Sequence, residues 1–290
     1  MQVDCEPMEN LTLISVHASY LLALGLFVAV LAGRFMLASK PVSIGPPTLP
    51  KGKVPGWFYV PTDLLGVLVF FLIYYGFAYM GATAEKVEGN PYTAEALLFG
   101  IGIQVFMPAM AFAIVVGRVS PIEWLGLRWK DWVQVFGIAP LSVFLMFAFS
   151  ITLYSLGYND MLVALGVAEE QQAVTMFREG QDPVALAMMV FAAVIVAPVC
   201  EEVIFRGYLY PVAKKYAHPT VAALFSSLVF AAAHGNVAAL VPLFVFGLVL
   251  VAVYEYTGSI WAPIAVHFLF NGSTVVIQFV ARLYPEVIAQ

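Results

Sequence analysis

Long apolar blocks, nearly free of charge, dominate the chain. They fall at about 13–36, 62–82, 94–117, 133–157, 184–211, 219–234, 237–256 and 259–282, and predict eight helices. Several reach the roughly 18–25 residues that a helix needs to cross a bilayer. The last four follow one another closely, and the sixth is short. Two polar stretches interrupt the pattern. Residues 38–61 hold Pro41, Pro46, Pro47, Pro50 and Pro55 among basic residues, which predicts a surface loop. Residues 158–183 are polar and acidic, with the pattern of an amphipathic helix. There is no internal repeat and no low-complexity tract. The expected fold is all-α: a polytopic transmembrane helical bundle in one membrane domain.

Composition agrees with that pattern. The chain is 62% hydrophobic and 11% charged, with a mean hydropathy of +0.91. Soluble globular chains have about 45–50% apolar and about 25% charged residues. Cys5 and Cys200 are far apart, and Cys200 lies in an apolar block, so a disulfide framework is not expected. The N-terminus is acidic and lacks the basic start of a cleaved signal, so the first helix is expected to be retained. A net charge of −5 gives no basic stripe for nucleic acid.

Basic residues alternate between successive loops. The first loop has Arg34, Lys40, Lys51 and Lys53; the third has Arg118, Arg128 and Lys130; the fifth has Lys214 and Lys215. The second and fourth have only Lys86 and Arg178. The excess of Lys and Arg on cytoplasmic loops predicts loops one, three and five inside, and both termini outside. A prokaryotic plasma membrane suits the chain's size and its acidic tail.

The chemistry concentrates in Val199–Gly207, VCEEVIFRG, at the end of an uncharged apolar run. A charge at mid-membrane costs on the order of 2.5–3.5 kcal/mol on insertion scales, so an intramembrane carboxylate marks a functional site by default. The bland alternative is an ion pair at a cytoplasmic helix end. Helix geometry separates the three charges. Glu202 and Arg206 are spaced i, i+4 and lie on one face, where they can pair. Glu201 is rotated about 100° from Glu202. One carboxylate can thus be neutralised by Arg206 while its neighbour stays free. Apolar surroundings and a nearby negative charge favour the protonated carboxyl, which suits a general base near neutral pH. Glu201 is the expected base, supported by the Glu202–Arg206 pair. A second acid pair, Glu169-Glu170, sits among polar residues with no such arginine and is expected to be solvated.

Of four histidines, His17 stands alone in the first helix and His218 sits in a loop. His234 and His267 fall in or at the ends of apolar helices. Glu202 lies 16 residues before His218 and His234 lies 16 after it, so a turn near His218 brings both to one depth. At 1.5 Å per residue that depth is about 24 Å from the turn. His267 lies about ten residues past the turn near Gly258, and Asn271 follows it by four on the same face. Three polar clusters on three helices can therefore meet in one intramembrane cavity, where each satisfies the others.

Together these residues resemble a known family. Glu201-Glu202-x-x-x-Arg206, Phe230-x-x-x-His234 and His267-x-x-x-Asn271 are similar, in order and spacing, to the EExxxR, FxxxH and HxxxN motifs of the CPBP (CAAX protease and bacteriocin-processing, or Abi) intramembrane proteases. The resemblance covers roughly 184–275. It implies helices and loops over 1–183 followed by a catalytic helical core over 184–290. It also implies an endopeptidase acting on a membrane-embedded or lipidated substrate, CAAX-like prenylated peptides included. Carried over by motif, Glu201 and His234 activate water, His267 and Asn271 stabilise the oxyanion, and Glu202 and Arg206 orient them. Family members have been described both as glutamate proteases and as metalloproteases. H-E-x-x-H is absent, yet His234, His267 and Glu201 are a chemically normal set for zinc. The reading favoured here is a glutamate-activated water without a cofactor. A non-catalytic scaffold or bacteriocin self-immunity protein of the same fold is the alternative. A proton-coupled carrier is a third class, disfavoured by the lack of inverted repeats.

Overall fold

The computed structural model describes residues 6–38, 53–83, 92–165 and 182–284, with 167, 177 and 180 between the last two segments. Cys5, Lys40, Lys51, Lys86, the Glu169-Glu170 pair and Arg178 lie outside the described residues. The described chain is helical. In order come α1 (Glu6–Ala38), α2 (Asp63–Thr83), α3 (Ala94–Val115), α4 (Pro121–Trp124), α5 (Val135–Ser155) and α6 (Tyr158–Ala164). Then follow α7 (Pro183–Phe191), α8 (Ala197–Ile204), α9 (Tyr210–Tyr216), α10 (Pro219–Ala233), α11 (Val237–Thr257) and α12 (Trp261–Leu283). Seven spans are long and apolar enough to cross a membrane, and α10 is a shorter apolar helix. The protein is a polytopic helical bundle, with its short sixth apolar helix where the pattern places it.

The main departure is in the fifth span. Helices α7, α8 and α9 form one 34-residue apolar span, Pro183–Tyr216, joined by π-helical turns at Ala192–Val196 and Phe205–Leu209. At 1.5 Å per residue it is about 51 Å long, well beyond the roughly 30 Å hydrocarbon layer. The apolar pattern fades before Lys214 and Lys215, yet the helix continues because both ammonium groups are used. Lys214 pairs with Glu255 on α11, and Lys215 donates to the Trp57 carbonyl at 3.0 Å and to that of Tyr59. The span ends just before His218-Pro219, where proline disfavours helix for the residue preceding it. His218 caps the next helix by accepting from Thr220 N–H at 3.3 Å.

The first and fifth loops meet through Lys215 and the carbonyls of Trp57 and Tyr59, and the first and third loops meet the turn between α11 and α12. Lys53 N–H donates to Glu255 O at 3.3 Å, and Ile260 N–H to Leu125 O at 2.9 Å. Arg118 makes a two-pronged ion pair with buried Asp63 at 2.7 and 2.8 Å.

One hydrophobic core runs from Val16 on α1 to Val266 on α12. One close seam within it is α10 against α11. A Cβ on Gly247 would stand 2.8 Å from Ser227 Cβ and 3.0 Å from its Cα, so only glycine allows this approach. The seam matters because the Gly247 carbonyl accepts from Arg206 Nη2 at 3.2 Å.

Candidate active site

Helix α8 carries the acid pair, and its position is set by the π-turns on either side. Such turns recur at functional sites, and here prolines leave carbonyls needing outside donors. In the first turn Ala197 N–H donates to Ala192 O, five residues back. The next carbonyl, Ala193, would continue that pattern with residue 198, which is proline and has no N–H. Asn271 Nδ2 on α12 donates to it instead, at 2.8 Å. In the second turn Gly207 O faces Pro211 four residues on. Tyr59 Oη donates to it at 2.5 Å and Trp124 Nε1 at 2.8 Å. Residues distant in sequence thus hold the helix in place at both ends.

Between these anchors lies a buried polar chain. Glu202 and Arg206 have no solvent exposure, and His267 has 3%. Glu202 Oε1 accepts from Arg206 Nη1 at 2.9 Å and from His267 Nδ1 at 2.8 Å. The guanidinium lies over the Phe230 ring, 4.5 Å from its centroid. Phe230 also packs edge-on against His234 and His267, at 5.0 and 5.9 Å between centroids. The phenylalanine of the FxxxH pattern is therefore the hub that spaces the cation from both imidazoles.

Glu201 is outside this hydrogen-bonded chain, on a different face of α8 from Glu202, as its rotation predicts. Its Oε2 is buried, has no hydrogen-bond partner, and lies 3.9 Å from His267 Nε2. Glu201 and His234 line a cavity of about 200 Å³ together with Tyr74, Gln104, Cys200 and apolar side chains from α2, α3 and α8. Cys200 is a free, buried thiol. Tyr74 and Gln104 stand midway along α2 and α3, so the cavity lies about halfway along those two apolar helices. His234 Nδ1 donates to Phe230 O at 2.8 Å, which leaves its Nε2 as the acceptor of the neutral ring. The remaining histidines are elsewhere: His17 bonds Leu13 O on α1, and His218 caps α10.

The structure thus brings Glu201, Glu202, Arg206, His234 and His267 together around one site. Asn271 is adjacent, with its amide engaged by Ala193. Sequence reading missed three features: the carboxylate shared by Arg206 and His267, the two π-turns, and Gln104. Pro198 and Pro211 signalled the turns, and Gln104 is the lone polar side chain in the interior of α3. Among the described residues, no group of three or more His, Cys, Asp or Glu is arranged to hold a metal ion. His267 Nδ1 is held by Glu202 and His234 Nδ1 by the Phe230 carbonyl, bonds that orient each ring and leave its Nε2 toward the site.

Residues 183–273 match the family model described as type II CAAX prenyl endopeptidase Rce1-like, and they include every residue named in the three motifs. The match covers about a third of the chain, the part that holds the buried polar residues. YdiL of Bacillus subtilis (strain 168), named provisionally as a membrane peptidase, is 25% identical over 227 residues, 77% of this chain and 88% of that protein. No solved structure matches the chain. Over the residues that carry the three motifs, the chain is thus similar to membrane endopeptidases of the CAAX type.

The Asn271–Ala193 contact yields a prediction. Asn271→Ala strands a carbonyl whose backbone donor Pro198 has removed, and a buried unsatisfied acceptor costs about 1–3 kcal/mol. Asn271→Ala is expected to lower the melting temperature and the rate together. Adding Pro198→Ala supplies the missing N–H and is expected to restore much of the melting temperature. Additive losses in the double variant, seen by thermal melts, would contradict this role.

Proposed function

We propose that the chain hydrolyses a peptide bond of a membrane-anchored substrate, embedded or lipidated and CAAX-like prenylated peptides included, with water activated by Glu201 and His234. The observation that carries this reading is the Glu201 carboxylate in the cavity, whose Oε2 has no hydrogen-bond partner and lies 3.9 Å from His267 Nε2, set beside a buried His267–Glu202–Arg206 chain that pairs the other acid.

Water between Glu201 and His234 donates one O–H to each, leaving a lone pair directed at the scissile carbonyl. As the C–O bond forms, Glu201 takes the proton. Protonated His267, its charge balanced by Glu202, presents Nε2–H to the developing oxyanion. Collapse breaks the C–N bond, and the proton on Glu201 passes to the leaving amine. Arg206 pairs with Glu202, and Glu202 holds the His267 ring. The motif resemblance assigns Asn271 to the oxyanion as well; its engagement with Ala193 favours a positioning role through α8. No step needs a metal, so cleavage is expected to survive EDTA or 1,10-phenanthroline. Activity lost to chelation and regained with added zinc would replace this mechanism with a metal-assisted one.

The substrate reading follows from depth. A cavity about halfway along two apolar helices, walled by Tyr74, Phe77, Ile103 and Met107, takes a chain that already partitions into the bilayer. Loops one, three and five are placed in the cytoplasm by their basic residues, with the chain in a prokaryotic plasma membrane. The test is a digest in nanodiscs comparing a farnesylated C-terminal peptide with its lipid-free form. Cleavage confined to the anchored form is expected; preference for the free peptide would contradict the assignment.

A further inference from the structure

The α2 and α3 wall of the cavity that Glu201 lines is mostly apolar, and Gln104 and the Tyr74 hydroxyl are its polar groups. The Gln104 side chain stands midway along α3, flanked in the cavity by Ile103 and Met107. Its Oε1 is buried and has no hydrogen-bond partner. An unpaired buried amide oxygen costs about 1–3 kcal/mol, and an apolar side chain of the same length would avoid that cost. Nothing in the packing of α3 requires a polar group at this point.

A bound peptide would supply the partner. A peptide segment entering an apolar cavity loses the water on its own N–H and C=O groups, and each needs a replacement. A carboxamide carries one acceptor and two donors and matches a peptide unit in both. We infer that Gln104 is a substrate-binding residue that accepts a backbone N–H of the membrane-anchored peptide and so fixes the register of the chain across from Glu201 and His234. This rests on the peptidase reading for the nature of the ligand. Tyr74, on the same wall, is the other side chain there with a polar tip.

The inference predicts an unusual pairing of effects. Gln104→Met keeps the shape and removes a buried unsatisfied oxygen, so its melting temperature is expected to equal or exceed that of the parent. Binding is expected to weaken. The probe is a farnesylated decapeptide in nanodiscs, titrated into the Glu201→Gln background so that no turnover intervenes. A companion series replaces each backbone N–H in turn by an ester oxygen. With Gln104 present, one ester analogue is expected to bind roughly five- to tenfold more weakly than the all-amide peptide. With Gln104→Met the all-amide peptide falls by the same factor, and that one ester causes no further loss.

In a protein that binds the series, three results would overturn the assignment. They are unchanged binding by Gln104→Met, equal sensitivity of both proteins to every ester, and a lowered melting temperature in Gln104→Met. A protein that binds none of the series overturns it too. Cleavage by protein retaining Glu201 is read separately. Binding through Gln104 without cleavage leaves this inference standing and removes the peptidase; cleavage with an unchanged KM in Gln104→Met does the reverse.

Discussion

Glu201→Gln is expected to abolish cleavage, with a loss of at least about a thousandfold, and to leave the protein folded. Positioned general bases contribute roughly 10²–10⁴ in rate, and among the described residues Glu201 is the carboxylate that lines the cavity. Glutamine keeps the shape of the side chain and removes its ability to take a proton. Because Glu201 Oε2 has no hydrogen-bond partner, the substitution breaks no bond at that oxygen. Melting within a few degrees of the parent is expected beside the lost rate. Turnover near the parental level would remove Glu201 as the base.

Arg206→Ala is expected to fail differently, in the fold first. Arg206 is among the largest fully buried side chains, and it holds Glu202 on one side and Gly247 O on the other. Removing one partner of a buried ion pair costs about 3–5 kcal/mol, against a total stability of about 5–15 kcal/mol. The loss also opens a cavity over Phe230. A strongly lowered melting temperature, or no folded protein, is the expected result. Combining Arg206→Met with Glu202→Gln removes both charges and is expected to recover much of the melting temperature. The rate should stay low, since His267 loses its carboxylate. An unchanged melt and rate in Arg206→Ala would show that the pair is interfacial rather than buried.

The contrast shows what the sequence could convey. Local spacing made the Glu202–Arg206 pair legible, because i, i+4 on one helix needs no tertiary information. Equal separations about His218 placed Glu202 and His234 at one depth, because a helical hairpin converts residue number into height. The sharing of Glu202 by His267 was not legible, because a rotation of α12 about its axis leaves the motif unchanged and moves the ring. Neither was the role of Asn271. Its partner is a backbone carbonyl made available only by a π-turn and Pro198, and helix periodicity does not register either. The extension of the fifth span to Tyr216 was hidden for a similar reason. Lys214 and Lys215 end the apolar pattern, and only their partners, Glu255 and the carbonyls of Trp57 and Tyr59, show why the helix continues. Gln104 was visible as a lone polar residue within an apolar helix, but its meaning depends on the cavity.

A scaffold or immunity protein could retain this fold without the chemistry, and one measurement separates the two. Purified protein in nanodiscs is incubated with a pool of membrane-anchored peptides, prenylated C-terminal peptides among them, alongside Glu201→Gln. Products are read by mass spectrometry. Cleavage by the parent at defined bonds, absent in Glu201→Gln, is the predicted result. Equal cleavage by both proteins, or none by the parent across the pool, would contradict peptide hydrolysis through Glu201.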